Sequence, residues 1–88
     1  MHEASLMRGL VTKLDELARA EGARRITRVR VRLGALSHFS PEHFREHFEA
    51  AVRGGPAEGA TLEITAASDP AAPGAQDVEL ESIDVEEA

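Results

Sequence analysis

The stretch ARRITRVRVRL, Ala23 to Leu33, sets apolar and basic residues in alternation. Side chains along a β-strand point to opposite faces with a period of two. Thr27, Val29, Val31 and Leu33 then share one face, and Arg28, Arg30 and Arg32 share the other. The pattern predicts a half-solvated strand with its arginine row outside. Read as an exposed edge, such a strand can pair with another chain, although its charge discourages this, so the expected state is a monomer or a weak dimer.

Working outward, the apolar residues Leu6, Leu10, Val11, Leu14, Leu17 and Ala18 recur at the three-and-four spacing of an amphipathic helix over Ala4 to Glu21, with Gly22 where a C-terminal cap belongs. On the other side, GALSHFSPEHF, Gly34 to Phe44, turns the chain and starts a second helix. Ser40 is a natural N-cap, and Pro41 fits the first helical position, where a missing N–H costs nothing. Phe39 before the cap and Phe44 after it can form a hydrophobic staple. Phe44, Phe48, Ala51 and Val52 continue one stripe until Gly54 to Pro56 ends it.

GATLEITAA, Gly59 to Ala67, reads as a strand with Leu62 and Ile64 inward. The interval ASDPAAPGAQ, residues 67–76, has the proline, glycine and alanine content of a loop. DVELESIDVEE, Asp77 to Glu87, is strand-like, but Val78 and Leu80 have one parity and Ile83 and Val85 the other. One extra residue near Glu81 or Ser82 would bring all four to one face, which predicts a bulge. The order helix, strand, helix, strand, strand implies an α+β domain: two helices packed on one face of a three-stranded sheet, in two layers. At 88 residues the chain is read as a single domain, 1–88.

The net charge of -6 is unevenly spread. Met1 to Arg53 holds all ten Arg and Lys residues against seven acids, whereas Gly54 to Ala88 holds nine acids and no base. The two halves can complement each other in the fold. The arginine series has no aromatic platform or reading helix beside it, which argues against nucleic acid. With no cysteine, neither a disulfide nor a thiolate metal site is available. No run of about 18 apolar residues and no basic-then-apolar start is present, which sets the expectation of a cytoplasmic protein without a membrane span. Ser5, Ser37, Ser40, Ser68 and Ser82 have no visible histidine and acid arrangement, and no phosphate-binding glycine loop occurs, so an enzyme is not expected.

The chemistry that remains belongs to MHE, Met1 to Glu3, and to the histidines. Read as a chain start, Met1 offers an amine with a pKa near about 7.7. With the deprotonated amide nitrogen and the imidazole of His2, that amine can form adjacent chelate rings around one ion, and Glu3 or a neighbouring donor can complete the set. Nitrogen donors in a near-planar array suit nickel(II) or copper(II) better than zinc. The bland reading is a solvated histidine, with Glu3 an acid at a helix start. His38 sits in the turn, where it either approaches the amino terminus or simply adopts an unusual loop dihedral. His43 and His47 are four apart on the second helix, a spacing that can grip a divalent ion or merely place two histidines in solvent.

MHE followed by a serine and a hydrophobic helix, the strand ending in GALS, then SPEHFREHFE, EGATLEI and finally VELESIDVE together resemble the nickel-binding domain of the HypA/HybF metallochaperones. The resemblance runs from Met1 to about Ile64 and resumes at Val78. It implies a nickel-binding metallochaperone that aids nickel insertion during maturation of nickel-iron hydrogenase, and in some organisms urease, with a maturation GTPase and the hydrogenase large subunit as partners. It implies a metal set of Met1, His2 and Glu3. Some relatives carry an acidic ligand in the turn where Ser40 stands here, so His38 is the substitute expected on chemical grounds. The family also places a zinc ribbon with two CxxC pairs where the loop 67–76 stands; without cysteine, no zinc is expected. The alternative is a metal-free protein-interaction domain of the same fold, engineered or a divergent paralogue.

Overall fold

The computed structural model describes residues 3–87. Its elements follow in the order α1 (Glu3–Ala20), β1 (Ala23–Leu33), α2 (Pro41–Ala51), β2 (Thr61–Ala66) and β3 (Val78–Glu87). The sheet has the order β2-β1-β3, with β1 parallel to β2 and antiparallel to β3. A parallel pair needs a crossover, and α2 supplies it. The two helices pack on the sheet as the predicted two-layer α+β arrangement. Among the described residues, no helix is long and apolar enough to cross a membrane.

The central position of β1 corrects the reading of the arginine strand as an edge. Its backbone groups are engaged on both sides, by Thr61–Ala66 along Arg28 to Leu33 and by β3 along the whole strand. Val29 and Val31 are fully buried, with Ile26 and Leu33 almost so. Thr27 was expected inward but is only half-buried; Ile26 takes the core position. The ladder to β3 skips Thr27, with Ile26 opposite Val85 and Arg28 opposite Asp84, so a β1 bulge reverses the alternation at that point. The expected β3 bulge is present. Arg30 lies opposite Ser82 and Val31 opposite Leu80, leaving Glu81 as the extra residue, and Val78, Leu80, Ile83 and Val85 all pack against the core.

The helices close over that core for local reasons. Met7, Leu14 and Ala18 of α1 are buried, and Gly22, at φ 62, ends the helix in the left-handed conformation that glycine adopts without steric cost. Ser40 caps α2 as predicted: its Oγ accepts a hydrogen bond from the His43 amide at 3.2 Å. The Phe39 and Phe44 rings meet edge to face at 5.5 Å, which completes the staple. Phe44 and Phe48 are the largest fully buried side chains, and burial of each contributes about 1.5–3 kcal/mol relative to exposure.

On the face away from the helices, Arg24, Arg25, Arg28 and Arg30 of β1 pair with carboxylates of the flanking strands. Arg30 donates through Nε to Glu63 on β2 at 3.2 Å, and through Nη1 and Nη2 to the two carboxylate oxygens of Asp84 on β3 at 3.2 and 3.3 Å. Arg28 reaches Glu63 at 3.2 Å, and Arg25 and Arg24 approach Glu86 at 3.5 and 3.9 Å. The hydrogen bonds from Arg30 hold the Asp84 carboxyl below its ordinary range, against an opposing contribution from desolvation. The same pairing raises the Arg30 guanidinium above its ordinary value.

Candidate functional site

The turn from Gly34 to Ser40 is stitched to the segment that leads into β3. The Gly34 amide donates to the Asp77 carbonyl at 2.8 Å, and the Leu36 amide to the Ala75 carbonyl at 2.7 Å. Glycine is required at position 34 because a Cβ there would collide with the Ala75 carbonyl. Two residues past Leu36 the backbone turns through His38, at φ 66. This is the left-handed region in which histidine is among the better-tolerated non-glycine residues. His38 is exposed.

These segments enclose a groove of about 970 Å³. The first turns of α1 contribute Ser5, Leu6 and Gly9, the turn contributes Leu36 and His38, and the start of β3 contributes Asp77 and Glu79. Leu36, 40% exposed, is the exposed large hydrophobic side chain among the described residues. The Ser37 hydroxyl lies against the same groove, buried and without a hydrogen-bond partner. Nor do the side chains of His38, Asp77 and Glu79 make a hydrogen bond or an ion pair among the described residues.

Of the sequence-derived metal set, Met1 and His2 lie outside the described residues. Glu3 opens α1, two residues before Ser5 on the groove wall. His38 lines the same groove as Ser5 and Leu6 of α1 and adopts the unusual dihedral; the alternative that it approaches the amino terminus falls on residues outside the described ones. Ser40, where some relatives have an acid, uses its oxygen as the helix cap. Sequence reading did not bring Asp77 and Glu79 to this place; no local signal does, since they reach the groove only through the sheet. His43 and His47 lie on the exposed face of α2, with ring centroids 4.5 Å apart. Among the described residues, no group of three or more His, Cys, Asp or Glu is arranged to hold a metal ion.

Residues 1–72 match the family model described as hydrogenase/urease nickel incorporation, metallochaperone, hypA. The hydrogenase maturation factor HypA of Methylocella silvestris is 44% identical over 64 residues, covering 73% of this chain and 57% of that protein. The corresponding factor of Chlorobium limicola is 47% identical over 64 residues, covering 73% and 55%. The chain therefore spans a little over half the length of these relatives. The solution structure of the Ni metallochaperone HypA from Helicobacter pylori has a TM-score of 0.85 at 20% identity, covering 100% of both chains. A second solution structure of HypA protein has a TM-score of 0.75 at 22% identity, covering 97% of this chain and 96% of that one. At those identities the likeness to the two structures is one of fold.

Proposed function

The chain belongs to the HypA family of hydrogenase/urease nickel-incorporation metallochaperones, and from that premise we propose that it carries nickel(II) as cargo at the start of α1, for insertion during maturation of a nickel-iron hydrogenase, with urease a second target. Proteins of this family are metallochaperones and not enzymes. The observation that carries the reading is the convergence of the first turn of α1 and His38 on one groove.

The ligands in this reading are the Met1 amine, the His2 amide nitrogen and imidazole, and Glu3, with His38 contributing from the turn. A nitrogen-rich set of this kind suits nickel(II). The groove is walled by α1 on one side and exposed on the other, so ligands can be exchanged with a partner while the core stays folded. The partners are the maturation GTPase and the hydrogenase large subunit, met in the cytoplasm. Residues 1–88 act as one unit, and the loop 67–76 stands in place of the family's zinc ribbon. With no cysteine in the chain, a four-thiolate zinc site cannot be built from it, and nickel handling here proceeds without a zinc-borne signal.

Calorimetric titration of nickel(II) into the untagged protein tests this. His2→Ala and a variant with one glycine added before Met1 should each lose the tightest binding event, while His38→Ala should weaken it by about tenfold. Parent-like nickel affinity in both the His2→Ala and the extended protein would refute the site.

A further inference from the structure

The strand order leaves β2 and β3 with one outer edge each. A row of unpaired N–H and C=O groups is a template for another strand unless something blunts it. β3 is blunted twice: Glu79, Glu81, Asp84, Glu86 and Glu87 load it with like charge, and the bulge at Glu81 breaks its ladder. β2, TLEITA, has neither device and no proline or glycine. Its one charged side chain, Glu63, is already engaged by Arg28 and Arg30.

The ladder to β1 shows which groups β2 presents outward. The Ala67 amide donates to the Leu33 carbonyl at 2.9 Å, on the β1 side. Backbone groups of alternate residues point to the same side of a strand, so those of Thr65, Glu63 and Thr61 also face β1. The N–H and C=O of Leu62, Ile64 and Ala66 therefore face outward. The side chains of Thr61, Glu63 and Thr65 are exposed on the arginine face, whereas Leu62 is buried and Ile64 packs against the core.

A second copy can meet this edge antiparallel about a two-fold axis. Centred on Glu63, the pairing would set Glu63 against its own copy, where like charges are destabilising, and would leave Ala66 without a strand partner. Centred on Ile64, it sets Ile64 against Ile64, Leu62 against Ala66 and Glu63 against Thr65, and every outward N–H and C=O is matched. That register also meets an unpaired charge. Arg32 makes no ion pair among the described residues, although Glu79 stands opposite it on β3; on the β2 side its neighbour is Thr65. Glu63 of the second copy would lie one strand beyond Thr65, about 10 Å from Arg32 along the sheet, a span that an arginine and a glutamate side chain close between them.

We propose that the chain forms a two-fold dimer in which the β2 edges pair antiparallel about Ile64, joining the two sheets into one. The groove lies by the start of β3, at the opposite edge of each sheet, and stays open in both copies. The contact is one strand wide, so the dimer is weak and exchanges with monomer.

Sedimentation equilibrium of the full chain, in chelator and without added metal, tests this independently of the nickel reading. The parent should show a reversible monomer–dimer equilibrium with a Kd between about 10 μM and 1 mM. Thr65→Lys sets a cation against Glu63 at two symmetric positions and should tighten association about threefold or more, whereas Thr65→Glu should weaken it by about tenfold. Ala66→Pro removes an outward N–H that the monomer does not use, and should abolish the dimer with the thermal transition retained, since an edge strand tolerates proline. The exposed Thr65 side chain keeps the test decisive even where the proline disturbs folding. In the parent, the Leu62, Ile64 and Ala66 amides should exchange more slowly at about 1 mM than at about 20 μM. A chain that stays monomeric at about 1 mM, or a dimer whose Kd is the same in both Thr65 variants as in the parent, overturns the proposal.

Discussion

The outer face of the sheet and the groove at the start of α1 treat polar groups in opposite ways. On the sheet, Arg24, Arg25, Arg28 and Arg30 are each matched to a carboxylate on a neighbouring strand. In the groove, the His38, Asp77 and Glu79 side chains and the Ser37 hydroxyl make no such match among the described residues. Charge on the sheet face is paired between strands, whereas these polar groups of the groove have no such pairing among the described residues. A basic stripe in this sequence is thus a feature of the fold.

The comparison can be broken in graded ways. Phe44→Ala removes the ring beneath both regions and the staple partner of Phe39, and should cost about 3–5 kcal/mol of unfolding free energy in urea. A loss under about 1 kcal/mol would mean that the core does not support them jointly. Gly34→Ala acts on the groove side alone, because the new methyl meets the Ala75 carbonyl. It should destabilise by about 1–3 kcal/mol and weaken nickel binding, with the sheet face unaffected. A stability equal to that of the parent would show that the turn and the 74–77 segment are not clamped.

The sheet face has its own signature in acid. Because Asp84 has a folded pKa depressed by Arg30, its contribution is complete above the unfolded value of about 3.9 and is lost as pH falls through the folded one. Asp84→Asn should therefore flatten the decline in stability below about pH 4. Parallel acid limbs for the parent and Asp84→Asn would count against the pairing. The smallest effect is expected for Asp77→Asn with Glu79→Gln, which remove charges that hold nothing together and should leave stability within about 0.5 kcal/mol of the parent. A larger loss in thermal or urea unfolding would show that these carboxylates are structural, and the contrast between the two faces would fail.

Much of the fold was legible where the signal was local. The Ser40 cap, the Phe39–Phe44 staple and the Gly22 stop are each decided within one turn of helix. The β3 bulge was also legible, since Val78 and Leu80 fall out of phase with Ile83 and Val85. The β1 bulge left the same kind of trace: Ile26 is out of phase with Val29, Val31 and Leu33, and reading Thr27 as inward passed over it. The lining of the groove was legible only in part. His38 stands out as a histidine in a turn, whereas Asp77 and Glu79 look like the beginning of an acidic strand.

What the sequence by itself determined is therefore the kind and place of each element and, the stretch around Thr27 apart, the side it buries, because caps, staples and periodicity act between residues a few positions apart. The α+β class followed, since two amphipathic helices and three strands have few ways to hide their apolar faces. Only the tertiary structure decided that β1 is the central strand and that the turn around His38, the start of α1 and the start of β3 share one groove. Strand neighbours and groove walls are set by pairings between distant segments, such as Gly34 with Asp77 and Leu36 with Ala75. Those hydrogen bonds join backbone groups that every residue type carries, so the order of side chains along the chain does not announce them.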